Sequence, residues 1–299
     1  MRTKFFKSLL WLLFLCVCAV VFVITFIDSP YIPSWSEIFR ANEKLDADSD
    51  IVTFLDVGQG DCILIQSNGR NAMIDTGDGK NKPLLAQLRQ NGVNGFDAVM
   101  LSHWHDDHYG GVDDVFSTYK VLNFLTPAIG DDKDIAENAH GILSAVGNNT
   151  TLHTITPAMA VNIGDFEITI LYFNSKATKE NNRTAVMMAK CRNYEFLLMG
   201  DMETSEENKL LKENLMLDCE VLKLGHHGSK SSTSEEFLDA CKPEYAVISV
   251  GENNSYNHPH KDVISLLNRR EIEYYRTDYD GSIAFDVTGD EISVKTQKQ

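Results

Sequence analysis

From residue 51 onward the sequence reads as a mixed α/β (α+β) domain: two sheets packed on each other with helices outside. Strand-like segments outnumber helical ones, antiparallel hairpin signals open the domain, and helical patterns separate the later strands. The first strands are expected at 51–55, 62–66, 72–74 and 98–101. Between the second and third, Asn68-Gly69 is a favoured two-residue hairpin turn. Further strands are expected at 121–125, 166–171, 184–189, 194–199, 221–224, 245–250 and 283–287. A helix should start at Pro83, which suits a first helical position, and stop near Gly92. Other helical patterns lie at 135–146, 203–213, 234–241 and 262–269. No repeat or low-complexity tract interrupts this stretch, so residues 51–299 read as one domain.

Ahead of it, Arg2, Lys4 and Lys7 precede an almost purely apolar run at 9–27, LLWLLFLCVCAVVFVITFI. As a helix at ~1.5 Å per residue the run would reach about 28 Å, close to a bilayer core. The basic flank, with Asp28 after the run, places the N-terminus in the cytoplasm and the rest outside. A cleaved signal peptide is the competing reading, but the run is long for one and no small-x-small site follows Ile27. The expected organisation is a membrane anchor (or signal peptide) at 1–28, a linker at 29–50, and the domain at 51–299. That makes a single-pass protein of the cell membrane with its domain extracellular, or a secreted one if the segment is cleaved.

Net charge is −16, whereas a protein that lives on phosphate contacts usually shows a basic footprint. Tight, salt-dependent binding along a long duplex is therefore not expected, although metal ions can supply local positive charge. The six cysteines lack CxxC spacing, which argues against cysteine zinc ligation and a dense disulfide framework.

Chemistry concentrates at 102–111, SHWHDDHYGG, directly after the apolar strand at 98–101. Three imidazoles and two carboxylates at one strand end form a dense set of borderline and hard metal ligands. His103 and His105 can converge on one ion from a bend, and Asp107 and His108 can turn to a second. The bland alternative is a polar loop with chance histidines, yet the whole chain holds only nine. Gly110-Gly111 should let the backbone turn tightly and start a helix.

This segment resembles the HxHxDH signature of the metallo-β-lactamase superfamily. Met73-Ile74-Asp75-Thr76-Gly77 resembles the first superfamily motif, whose aspartate props the metal loop. Leu198-Met199-Gly200-Asp201 resembles the fourth, with a carboxylate that bridges both metals, and LGHHGS at 224–229 the later histidine motif. More narrowly, FLDVGQGDCILI, LGHHGSKSS and VISVGENNSYNHPH are similar to the C-terminal domain of ComEC-type DNA-uptake proteins. The resemblance implies a four-layer αββα sandwich binding two divalent ions, zinc or manganese. His103 and His105 would hold one metal, Asp107 and His108 the other. Asp201 would bridge them, and His227 would complete the second site. The superfamily's third-motif histidine has no counterpart; Asn181-Asn182-Arg183 stands in its place, and His140 and His153 are candidate substitutes.

Two cations a few ångströms apart would lower the pKa of a bridging water to about 7. His226 and His258 are candidates for the leaving-group proton, and Asp107 is counted with them as catalytic. As neighbours at a strand end, His226 and His227 should point in different directions. His227 is the one expected at the metals, because Gly228-Ser229 allows a close turn beside it. Asp75 should orient a metal ligand. Asp56 and Asp61 should fix loop geometry, Ser229, Lys230 and Ser231 could contact phosphate, and His260 should cap or start the following helix. The expected function is a metal-dependent phosphodiesterase using metal-activated hydroxide, with single-stranded DNA as one substrate; no protein partner is indicated. Two alternatives stand beside it: a hydrolase of a cell-envelope phosphodiester such as a choline phosphate, and a non-catalytic, metal-stabilised surface binding module. A lactamase proper is disfavoured, since fold alone does not fix substrate.

Overall fold

A computed structural model describes residues 2–26, 48–80, 84–147 and 149–298. The chain divides into two units, one of residues 1–45 with 85–93 and the other of 46–84 with 94–299. In the first, helix α1 (Arg2–Phe26) forms because no proline or glycine interrupts its sequence. Trp11, Leu12, Leu13, Phe14 and Leu15 are each more than half exposed on it. Among the described residues, no helix is long and apolar enough to cross a membrane, so the expected transmembrane helix is not established. Helix α2 (Leu84–Gln90) also belongs largely to this unit. The expected helix start at Pro83 and most of the expected linker at 29–50 lie outside the described residues.

The second unit holds the strands β1 (Asp50–Phe54), β2 (Ile63–Ser67), β3 (Arg70–Ile74), β4 (Phe96–Met100), β5 (Val121–Thr126) and β6 (Thr151–Thr154). There follow β7 (Ala160–Ile163), β8 (Phe166–Tyr172), β9 (Val186–Cys191), β10 (Tyr194–Leu198) and β11 (Val221–Lys223). The last are β12 (Tyr245–Ile248), β13 (Glu273–Arg276), β14 (Ile283–Asp286) and β15 (Ser293–Thr296). One sheet runs β15-β14-β1-β2-β3-β4-β5-β6 and the other β13-β12-β11-β10-β9-β8-β7. Asn68-Gly69 makes the expected hairpin: Ser67 pairs with Arg70, and both turn residues take positive φ, as a type I′ turn requires.

The two sheets share a plan. Each begins antiparallel, β1-β2-β3 or β7-β8-β9-β10, and continues parallel, β3-β4-β5-β6 or β10-β11-β12-β13. Parallel strands need crossovers, so their carboxyl ends gather on one side, where open α/β sheets bind ligands.

Strand alternation then sorts the core. In the second sheet Met187, Ala189, Phe196, Leu198, Val221 and Val247 join the cluster shared with the first sheet. Their neighbours Val186, Met188, Leu197, Leu222, Ala246 and Ile248 face the other way. There they pack with residues of three helices: α6 (Thr204–Leu210), α7 (Glu235–Cys241) and α8 (Lys261–Arg269). The first sheet's outer side carries α4 (Val112–Thr118), whose Phe116 meets Phe124 of β5 at 4.9 Å. This period-2 division produces the layered sandwich.

Four strands went unpredicted: β6, β7, β13 and β15. They are the four sheet edges, with mostly exposed or half-buried residues. An edge strand packs on fewer neighbours, so its apolar alternation is weak. The helix expected at 203–213 stops at Leu210, where a 3₁₀ turn runs to Glu213.

Phe285 bridges the sheets, its ring within 6.1 Å of Phe54, Phe196, Tyr245 and Tyr275. Phe285→Ala should cost about 3–5 kcal/mol. Denaturant unfolding measures this, and a loss below about 1 kcal/mol would mean that the sheets do not meet through this ring.

Candidate metal centre

The site assembles at the carboxyl ends of β3, β4, β10, β11 and β12. Asp75 follows β3 in a left-handed conformation, φ +59°, and its amide donates to Met100 O at 2.8 Å. Its Oδ1 accepts from Ser102 N at 2.7 Å, and its Oδ2 from Ser102 Oγ at 2.7 Å. Oδ2 also lies 2.8 Å from His108 Nδ1. A buried carboxylate there holds the His108 proton on Nδ1 and leaves Nε2 free to face the site.

After β4 the chain bends through His103 and His105 into a single helical turn, α3 (Asp106–Tyr109). Gly110 and Gly111 link it to α4, as expected, but not through unusual dihedrals: φ is −58° and −89°. Close approach excludes a side chain instead, since a Cβ on Gly111 would sit 2.4 Å from Thr76 O.

The donor atoms converge. His103 Nε2 is 3.0 Å from His105 Nδ1 and 3.8 Å from Asp201 Oδ2. His108 Nε2 is 3.3 Å from Asp201 Oδ1 and 3.9 Å from Asp107 Oδ1. His227 Nε2 is 3.2 Å from Asp107 Oδ2 and 3.5 Å from Asp201 Oδ1. Ligand-capable atoms of His103, His108 and Asp201, and of Asp107, His108 and His227, all approach within 4.8 Å of one another. His108 Nε2, His227 Nε2 and Asp201 Oδ1 are buried without a hydrogen-bond partner. Buried orphans are costly, and nitrogen with carboxylate oxygen is a donor set suited to zinc or manganese, so a divalent ion fits these residues.

Electrostatics agree. Burial would depress His227, but Asp201 and Asp61 raise it to about 10. Burial likewise opposes the charge on His108, yet Asp201, Asp75 and Asp107 push it well up. Burial would raise Asp201 and Asp107, but the imidazoles hold both below the usual carboxylate range. Without metal, protons on His108 and His227 balance the carboxylates.

His226 and His227 do diverge, but the cause is not strand alternation. Both occupy a left-handed turn, φ +49° and +53°, with ring centroids 6.2 Å apart. His227 is buried and turned inward, its Nδ1 2.9 Å from Ser249 O. His226 is partly exposed, with Nε2 3.8 Å from Asp201 Oδ2 and Nδ1 3.3 Å from Ser231 Oγ. Burial lowers its pKa. The His258 ring lies 5.4 Å from that of His226, and its backbone is pinned at both N and O by the Asn254 amide. Burial, with His227 and His226 nearby, lowers His258 to about 4.

Of the polar triplet, Asn182 bonds to Glu203, while Arg183 pairs with Glu180 and reaches Ala128 O. Only Asn181 reaches the site, its Nδ2 3.3 Å from His226 Nε2. His140 and His153 are not in the cluster: His140 is exposed on α5 (Lys133–Ala145), and His153 of β6 places Nε2 3.0 Å from Oδ1 of Asn123 on β5. His260 begins α8 without a side-chain cap bond. Asp61 lies nearer the site than expected, 3.3 Å from His227 Nδ1 and 2.9 Å from Lys223 Nζ. Lys223, unremarked in the sequence, ends the otherwise apolar strand β11, and that lone charge was the available signal.

A cavity of about 1110 Å³ opens over these groups, lined by His105, Asp107, Asn181, Asp201, His226 and His258 among others. One consequence is measurable in chelator-treated protein. A free imidazole titrates near 6.5, so the stabilisation from raised His227 is complete below about 6.5 and is lost as pH climbs through about 10. Metal-free protein should therefore unfold more easily at pH 9 than at pH 6. Equal midpoints at the two values would contradict the charge balance described.

Comparison with known proteins follows the same lines. The metallo-beta-lactamase superfamily model matches residues 55–132. ComE operon protein 3 of Bacillus subtilis (strain 168) is 29% identical over 257 residues, covering 78% of this chain and 32% of its own. Competence protein ComA of Neisseria gonorrhoeae is 30% identical over 246 residues, covering 81% and 33%. The chain thus spans about a third of the length of the curated relatives it matches. The metallo-beta-lactamase fold protein YhfI from Bacillus subtilis shares the fold, with a TM-score of 0.51 at 13% identity over 80% of this chain and 100% of that one. With its histidine and aspartate motifs at the strand ends of such a sandwich, the chain resembles the metallo-β-lactamase superfamily and, within it, ComEC-like proteins.

Proposed function

We propose that this protein is a metal-dependent phosphodiesterase holding two divalent ions, zinc or manganese. The observation that carries this is the convergence of three buried atoms that make no hydrogen bond, His108 Nε2, His227 Nε2 and Asp201 Oδ1, at the floor of an open cavity. In this reading His103, His105 and Asp201 hold one ion, and Asp107, His108, His227 and Asp201 hold the other. A pair of ions held there would supply Lewis acidity and lower the pKa of water to about 7.

The chain's own residues do the rest. Asp75, through His108 Nδ1, and Ser249 O, through His227 Nδ1, present each Nε2 to the centre. His226 and His258 stand on the open side, within reach of a leaving oxygen, and the Asn181 amide can hold a substrate oxygen beside His226.

The cavity's charge favours a compact phosphodiester over a long polynucleotide. Asp78, Asp106, Asp134 and Glu252 line it, and among the described residues Lys80 is its sole lysine or arginine. Lys80 Nζ lies 3.9 Å from Asp106. A polyanion meets strong repulsion there, whereas a single diester with a neutral or cationic flank, such as a choline phosphodiester, meets less. Single-stranded DNA remains the polymeric substrate suggested by the competence proteins. The apolar run at 9–27, with its exposed side chains on α1, supports membrane anchoring with the domain outside, for which recovery in the membrane fraction is the test.

His108→Ala, Asp201→Ala and His227→Ala should each lose metal and activity together. His226→Ala should keep its metal and lose turnover by about 10²–10⁴-fold. Metal content is read beside hydrolysis of an aryl phosphodiester, glycerophosphocholine and single-stranded DNA. Bound metal with no turnover on any of these would leave a binding module; absence of metal after reconstitution would end the hydrolase reading.

A further inference from the structure

Behind His227 lies a buried ion pair that the reaction does not use. Lys223, the last residue of β11, is fully buried, its Nζ 2.9 Å from Asp61 Oδ2 and donating to Leu224 O at 2.8 Å. Exchange of such a pair for packed apolar groups is often neutral or stabilising, so stability alone gives little reason for it.

Its surroundings give another. Asp61 Oδ1 lies 3.3 Å from His227 Nδ1, on the opposite side of the ring from Nε2, which faces Asp107 and Asp201. The same residue's amide donates to Asp107 O at 3.1 Å, and Gly77 N donates to Asp61 O at 2.8 Å. Gly60 beside it runs so close that a Cβ would sit 2.3 Å from Asp107 O. Asp61 thus faces His227 Nδ1 at ion-pair distance, beside the Ser249 O that accepts from the same nitrogen, and meets Asp107 through its backbone. Lys223, four residues before His227 in the chain, fixes the carboxylate between them.

We propose that Asp61 and Lys223 are a positioning pair that sets the affinity of the second cation site by holding His227 and Asp107 in register, without touching the cation. This rests on the two-cation reading above. It separates a metal-affinity role from a fold role, because neutralising both partners leaves no unpaired buried charge.

The test is a cobalt(II) titration of the full chain, stripped of metal, followed by ligand-field absorption and compared with D61N and with the double variant D61N/K223M. D61N should lose stability and bind one of two cobalt equivalents about 10–100-fold more weakly. The double variant should regain cooperative unfolding near the wild-type midpoint and yet keep the weakened equivalent. At saturating cobalt its spectrum should match the wild type, because no ligand has been removed. Wild-type affinity in the folded double variant would overturn the proposal, as would its failure to fold, which would make the pair structural. A changed spectrum at saturation would also overturn it, by making Asp61 a ligand. A wild-type chain that takes up no cobalt sinks the two-cation reading itself, which none of the variant outcomes does.

Discussion

Four carboxylates, Asp61, Asp75, Asp107 and Asp201, crowd the ends of strands from both sheets, three of them almost wholly buried. Unscreened negative charge of that density cannot stand in a protein interior. Every nearby feature answers it. Asp75 is spent on Ser102 and His108, Asp61 on Lys223, and Asp107 and Asp201 face imidazole nitrogens that they hold near their own charge. In the metal-free chain protons on His108 and His227 supply the balance. A divalent ion held by these residues would displace those protons and take over the compensation, linking metal affinity and pH through the same atoms.

Such a cluster needs a stiff support, and the sandwich provides it. Asp75 and Asp201 follow closely on β3 and β10, and Asp61 and Asp107 sit in loops beside them, among strands whose side chains alternate between two apolar layers. Asp75, His226 and His227 sit at positive φ, a conformation that costs a non-glycine residue about 1–3 kcal/mol and persists only where packing dictates it. The left-handed turn at His226-His227 sends one ring into the centre and the other toward the cavity.

Much of this was legible from residue order. The core strands announce themselves by long apolar runs, Asn68-Gly69 by its turn chemistry, and the ligand cluster by the density of HWHDDH. The four edge strands were not legible, because a strand covered on fewer sides carries no strong alternation. Histidines carry no label of their own: His140 and His153 matched by type, and only tertiary placement shows one on an exposed helix and the other bonded to Asn123. Asp61 and Lys223 are separated by most of the domain in sequence, so their pairing follows from the meeting of the two sheets. Gly110 and Gly111 looked like turn residues, and close backbone approach proved to be the reason for them.

On the proposed function, these buried donors form one two-cation centre. Anomalous diffraction at the zinc edge, from crystals of zinc-loaded protein, measures it most directly. Two peaks about 3.5–4 Å apart are expected, with Asp201 between them and the Nε2 atoms of His108 and His227 on the same peak. A single peak, or two separated by more than about 6 Å with Asp201 on one alone, would contradict it.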